Sequence, residues 1–258
     1  MPPVNTSSGA VKAVTVDVGG VLLLPAPRLI GPAIGDVTGV QPSARLLHRA
    51  HYAATAATGG AGGPLSIAYR RRFAEVCGVP PERAEDAAAG LERALRAPDC
   101  WTEPAAGGAD ALARLHDGGW ALAVVSNAAG RTAGQLADAG LGQVGPGPAT
   151  PLAAIVDSHL FGVRKPDPRI FRHALDLLGV TPVEAVHVGD DPWTDVGGAE
   201  AAGIRPVHVD PYRDCGAEGH AHVTDLAGVL DLLAVCDQPH RGNTVVSPPS
   251  GGGDLAQG

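Results

Sequence analysis

The sequence predicts an open, doubly wound α/β sheet with a helical insertion directly after its first strand. Three observations predict it. Short β-branched runs alternate with Ala- and Leu-rich stretches, glycines stand where left-handed helix caps belong, and one long segment lacks any convincing strand. In chain order, residues 13–16 (Ala-Val-Thr-Val) read as the first buried parallel strand. Residues 25–103 then break the alternation, with helical stretches at 44–57, 67–77 and 82–96. An insertion at that point stands over the carboxyl ends of the sheet, where open α/β folds bind ligands. Beyond it, strands at 121–125, 153–156, 185–188 and 206–209 alternate with helices at 106–118, 131–139, 168–178, 195–202 and 224–233. Gly119, Gly140, Gly179 and Gly203 fall at or just past four of those helix ends. The expected organisation is a core from 12–24 and 104–236, a helical cap from 25–103, and disordered ends at 1–11 and 237–258. Those ends are Pro-, Ser- and Gly-rich and bury too little apolar surface to offset chain entropy.

Composition narrows the function. The 258 residues are 45% hydrophobic but only 3% aromatic, so a sizeable core must be built mainly from Ala, Val and Leu. A formal charge of -8 disfavours nucleic acid or an anionic membrane as partner. No apolar run reaches the length of a membrane span, and the first ten residues lack a signal's basic start and apolar stretch, so the expected location is the cytoplasm. Cys77, Cys100, Cys215 and Cys236 form no C-x-x-C spacing and are expected to be buried or incidental thiols.

Polar groups gather at four strand ends: Asp17, then Ser126-Asn127, then Lys165, then Gly189-Asp190-Asp191 with Asp195. Each alone is an ordinary cap or turn signal. In a parallel sheet all four share one edge, and together they suit phosphate chemistry. Asp17 and Asp190 offer the hard carboxylate oxygens that Mg²⁺ takes. Lys165 supplies positive charge to phosphoryl oxygens and crowded carboxylates, while Ser126 and the loop amides near Gly19, Gly20 and Asn127 donate hydrogen bonds. With charge drawn away, Asp17 can attack phosphorus and form an aspartyl-phosphate.

Val-Thr-Val-Asp17-Val-Gly-Gly-Val, Val-Val-Ser126-Asn127, Arg-Lys165-Pro-Asp-Pro and Val-Gly-Asp190-Asp-Pro-Trp-Thr-Asp195 resemble, in order and spacing, the four motifs of the haloacid-dehalogenase-like superfamily. The resemblance covers roughly residues 12–235. It implies a Rossmann-like core, a helical cap inserted between the first two motifs, and Mg²⁺-dependent phosphatase activity on a small phosphorylated metabolite. By position, Asp17 would be the nucleophile, Ser126 and Lys165 binders of the phosphate or intermediate, Asp190 a metal ligand and Asp195 a ligand or its support. The Gly19 carbonyl would also face the metal. One departure stands out: family phosphatases carry an acid-base aspartate where this chain has Gly19, a loss worth about 10²- to 10⁴-fold if nothing replaces it.

Three readings follow. A phosphatase restricted to easily departing groups, such as an anomeric sugar phosphate or an acyl phosphate, keeps the other motifs in use. A dehalogenase also lacks that aspartate, with cap arginines such as Arg45 and Arg49 available for a carboxylate, but it leaves the acidic fourth motif unexplained. A non-catalytic or regulatory protein would keep the cradle for binding alone. A phosphonatase is closed off, because it needs a cap lysine and the chain has only Lys12 and Lys165.

Other groups read as structural. Arg70-Arg71-Arg72 splay around a helix and suggest a solvated surface. His187 should point into a packed layer. Asp157 and Ser158 suit either a turn or support for Lys165. His220-Ala-His222 has no further Cys or His at ligand spacing close by, which favours a surface loop before the last helix.

Overall fold

The computed structural model describes residues 10–57 and 63–236, so the expectations for 1–9 and 237–258 lie outside the described residues. The chain enters through β1 (Ala13–Val16) and turns into β2 (Leu23–Pro25). Four helices follow: α1 (Pro27–Thr38), α2 (Ala44–Ala57), α3 (Ile67–Val76) and α4 (Ala84–Leu95). The return is by β3 (Trp101–Pro104), antiparallel to β2. Then come α5 (Gly108–Asp117), β4 (Ala121–Ser126), α6 (Thr132–Asp138) and a short parallel pair, β5 (Gly142–Gln143) with β6 (Thr150–Pro151). The chain continues with β7 (Ala154–Asp157), α7 (Ser158–Phe161), α8 (Pro168–Leu178) and β8 (Ala185–Gly189). A π-helical turn (Pro192–Gly197), α9 (Gly198–Ala202), β9 (Arg205–Val209), β10 (Ala221–Val223) and α10 (Gly228–Cys236) complete it.

Six strands form one parallel sheet in the order β10-β9-β8-β1-β4-β7. From β1 the chain builds outward through β4 and β7, then crosses to β8 and builds the other way. Strand order therefore reverses at β1, and a crevice opens at its carboxyl end, where Asp17 stands. Strand alternation divides the core between the two faces. Val14, Val16, Val186 and Val188 pack with Leu112, Leu115 and Leu233, while Ala13, Val125 and Ala185 pack with Phe171, Ala174 and Ala199. The helices α1–α4 have their own cluster, including Ile30, Leu47, Tyr69, Phe73 and Leu91. Ordered packing starts before Lys12, since Val11 is buried and its carbonyl accepts from Trp120 Nε1.

The five expected sheet strands are present within a residue of their expected bounds, and Gly119, Gly140, Gly179 and Gly203 all have positive φ. The pairs β2–β3 and β5–β6 and the edge strand β10 were not expected; each is two to four residues long, too short to print a periodic pattern. The expected helix at 195–202 starts with the π-helical turn, and α1 carries Gly31, Pro32 and Gly35, which mask its propensity. Gly35 is there for packing: a Cβ would sit 2.1 Å from Gln41 Nε2.

Candidate active site

Asp17 leaves β1 with its backbone N–H donating to Val188 O, and the Val18 carbonyl then accepts from the amides of Leu22 and Leu23. This tight turn needs Gly20, whose φ is +72° and whose added Cβ would lie 2.1 Å from Asp190 Oδ2. The turn therefore presses the first motif against the fourth. Lys165 is 4% exposed, with Nζ 2.6 Å from both Asp17 Oδ1 and Asp195 Oδ1. Asn127 fixes it by clamping its backbone: Nδ2 donates to Lys165 O at 3.0 Å and Oδ1 accepts from Lys165 N at 2.8 Å. The Asn127 side chain is thus committed to the loop rather than to a ligand. Ser126 is buried beside it, and its hydroxyl has no hydrogen-bond partner among the described residues.

Asp195 is braced on every side. Its Oδ1 also accepts from His187 Nε2 at 3.0 Å, and its Oδ2 from Asp191 N at 3.2 Å. His187 is fully buried, with Nδ1 2.9 Å from Thr15 Oγ1, in keeping with the structural role read from strand alternation. Asp191 caps the π-helical turn through Trp193 N and Thr194 N.

Electrostatics separate these acids. Burial pushes the Asp17 carboxyl up to about 8, with Asp195 and Asp190 adding to the rise and Lys165 opposing it. Burial, with Asp195 and Asp191 adding to it, holds Asp190 well above its usual range despite Lys165. Asp195 goes down, because Lys165 and His187 outweigh its burial. For Lys165, Asp17 and Asp195 outweigh burial and raise the ammonium. Asp17, Asp190 and Asp195 each offer an oxygen within 4.8 Å of the others, a group that could hold a metal ion. Once ionised, these three carboxylates outnumber the one lysine, an excess of negative charge that a hard dication would offset. With both Asp195 oxygens engaged, Asp17 Oδ2 and the Asp190 carboxylate are the better placed ligands, and Asp195 fits the supporting role.

The cleft above these groups has a volume of about 760 Å³, and α1–α4 supply residues that sequence reasoning missed. His51 is 1% exposed, with Nδ1 2.7 Å from Tyr69 Oη. Its Nε2 lies 3.2 Å from Asp190 Oδ2 and has no hydrogen-bond partner among the described residues. Burial pushes this imidazole down to about 4, so the contact is not an ion pair at neutral pH. Tyr52 Oη donates to Gly20 O at 2.7 Å. Trp101 stands over Gly19, where an added Cβ would meet its ring at 3.3 Å. No motif marks these residues; only the packing of α2 and β3 against the sheet edge brings them in.

Several expectations are corrected. Arg49 does not reach into the cleft: its Nη2 donates to Asp214 Oδ1 at 2.8 Å and its guanidinium lies 4.7 Å from the Tyr212 ring centroid, while Arg45 is exposed. Arg70 is buried and pairs with Glu92, whereas Arg71 and Arg72 face outward onto Glu85 and Glu75. Asp157 supports the loop after β4 rather than Lys165, accepting from Gly130 N, Thr132 Oγ1 and His159 N. Cys77 and Cys215 are half-buried free thiols and Cys100 a buried one. Among the described residues no helix is long and apolar enough to cross a membrane.

Residues 11–203 match the haloacid dehalogenase-like hydrolase family. The chain is 38% identical over 148 residues to a phosphoserine phosphatase of Thermus thermophilus, covering 57% of this chain and 55% of that protein. It is 36% identical over 134 residues to the human haloacid dehalogenase-like hydrolase domain-containing protein 3, covering 49% and 50%. The chain thus spans about half the length of these curated relatives. The magnesium-bound HAD-hydrolase YfnB of Bacillus subtilis has a TM-score of 0.57 at 16% identity, over 87% of this chain and 99% of that one, a likeness of fold.

Proposed function

The chain belongs to the haloacid dehalogenase-like hydrolases, and from that premise we propose that it is a Mg²⁺-dependent phosphomonoesterase working through a phosphorylated Asp17. The observation that carries this reading is the buried trio of Asp17, Asp190 and Lys165 at the switch point of the sheet, with one Asp17 oxygen held by Lys165 and the other without a hydrogen-bond partner among the described residues. The Asp17 carboxylate attacks phosphorus, the bond from phosphorus to the ester oxygen breaks, and water then cleaves the acyl phosphate to return the carboxylate. Lys165 and Ser126 hold phosphoryl oxygens as charge develops on them. Asp17, Asp190 and the Gly19 carbonyl would hold Mg²⁺, which when bound offsets the charge of the carboxylates and of the phosphoryl group.

Gly19 offers no proton to the departing oxygen, which favours a substrate whose leaving group needs none, such as an anomeric sugar phosphate or an acyl phosphate. Arg164 lines the cleft without a partner among the described residues and adds positive charge for an anionic metabolite. The metal-free dehalogenase reading loses support, because Arg49 is spent on Asp214 and the acidic cluster would stand uncompensated. The binding-protein reading rests on Gly19 and Trp101.

The test is phosphate release from a panel of anomeric sugar phosphates, acyl phosphates and phosphoserine, with and without Mg²⁺. Turnover is expected only with Mg²⁺, and to be lower for phosphoserine, an alkyl ester. Asp17→Asn should reduce it by at least about 10³-fold, the scale of removing a nucleophile. Absence of release from every substrate by folded protein would favour the binding role, and metal-independent halide release a dehalogenase.

A further inference from the structure

A second cluster of metal-binding side chains lies beside this cleft, at the β9–β10 edge of the sheet. His208, Cys215, His220 and His222 each present a donor atom within 4.8 Å of the other three. The ladder explains the gathering. In β9 and β10 Val207 and Val209 pack into the core, so His208 between them points to the opposite face; its register partner on β10 is His222. His220, two residues before His222, shares that face. The three rings lie with centroids 4.5, 5.1 and 5.4 Å apart. Asp210 shapes the intervening loop, accepting from Asp214 N at 2.9 Å and Cys215 N at 3.1 Å, and so turns Cys215 back toward the rings.

The hydrogen bonds suit metal ligands. His208 Nε2 donates to Asp190 O at 2.9 Å, so the neutral ring keeps its lone pair on Nδ1, which faces into the cluster. That Nδ1 is 3.3 Å from His220 Nε2. This matches the edge, about 3.3 Å, of a tetrahedron with metal–nitrogen bonds of about 2.0 to 2.1 Å. His222 Nδ1 has the Asp210 carboxylate 3.4 Å away, the kind of outer partner ligating imidazoles take, while its Nε2 lies 3.3 Å from Ala217 O, a contact that ligation through Nε2 would exchange for the metal. A Cys215 thiolate with the Asp210 carboxylate balances a dication. We infer that His208, Cys215, His220 and His222 form a closed binding site for a divalent transition ion of the zinc class. Three imidazoles and one thiolate are nitrogen and sulfur donors that favour such an ion over Mg²⁺, and four protein ligands leave no open position, which marks the site as structural. It would tie the edge strands together and, through His208, brace the backbone that carries Asp190.

The full chain, stripped with a chelator and kept reduced, is titrated with Co²⁺ in excess Mg²⁺, and bound zinc is counted by elemental analysis after Zn²⁺ loading. One equivalent is expected, with tetrahedral d–d bands and a sulfur-to-cobalt charge-transfer band. Cys215→Ser should remove the charge-transfer band, and His220→Ala with His222→Ala should weaken binding at least about 100-fold. Neither histidine is buried, so circular dichroism of the double variant should be unchanged. Asp17→Asn should leave binding as it was. The site is disproved if wild type shows no charge-transfer band, if the histidine pair can be removed without loss of affinity, or if Asp17→Asn abolishes binding, which assigns the ion to the carboxylates.

Discussion

At Gly19 the absent side chain and the Trp101 indole compete for one place, because a Cβ there would already lie 3.3 Å from the ring. An aspartate extends further than a Cβ, so restoring the family's acid-base group requires Trp101 to move. Gly19→Asp alone should therefore change kcat/KM for an alkyl phosphate ester by less than about threefold, whereas Gly19→Asp with Trp101→Ala should raise it at least about tenfold, a modest part of what a general acid supplies. Steady-state kinetics on the two variants decide this, and a tenfold gain from the single substitution would show that Trp101 is no obstacle. The glycine was legible in the sequence; its occupant was not, since Trp101 lies 82 positions after Gly19 and only the β2–β3 pairing brings them together.

Among the elements, the loop between β4 and α6 is braced at Gly130 and Thr132 by one side chain from the neighbouring strand. Asp157 ends β7 and accepts from Gly130 N at 3.0 Å, Thr132 Oγ1 at 2.6 Å and His159 N at 2.9 Å. Burial acts to raise its carboxyl, but these bonds outweigh it and hold the group below its usual 3.8. A depressed acid contributes stability above the unfolded value of 3.8, and that contribution is lost as pH falls through the lower folded value. Asp157→Ala should cost about 2 to 4 kcal/mol in denaturant unfolding at neutral pH, since it leaves buried donors unsatisfied. The difference from wild type should shrink below pH 3.8; a constant difference down to the lowest pH would mean the carboxylate charge is irrelevant. Strand position was readable from β-branched runs, while the partner of Asp157 was not, because a turn and a cross-loop brace use the same residue type.

For the molecule as a whole, the relation between α1–α4 and the sheet edge is set by few polar contacts. Tyr52 Oη on Gly20 O at 2.7 Å holds α2 to the Asp17 turn, and Arg49 Nη2 with Asp214 Oδ1 at 2.8 Å holds it to the loop after β9. A half-exposed ion pair and one hydrogen bond together stabilise by only about 1 to 2 kcal/mol. Arg49→Ala with Tyr52→Phe should therefore leave global stability within about 2 kcal/mol of wild type, yet speed hydrogen exchange of the 20–23 amides at least about tenfold by favouring local opening. Unchanged exchange at those amides would mean that apolar packing alone positions the helices.

The sequence by itself determined the parallel sheet, the helix ends and the four strand-end motifs, because buried β-branched runs, glycine caps and strand-tip polar groups are local signals written in adjacent residues. Tertiary structure alone decided that Asn127 clamps Lys165, that Trp101 fills the space at Gly19, that His51 enters the cleft, and that His208 and Cys215 join His220 and His222. Each of these depends on register and packing between segments far apart in the chain, and a side chain's partner across such a distance leaves no periodic trace. The Asp17 cleft was thus foreseeable in its motif residues, whereas what covers it and what stands beside it had to be read from the fold.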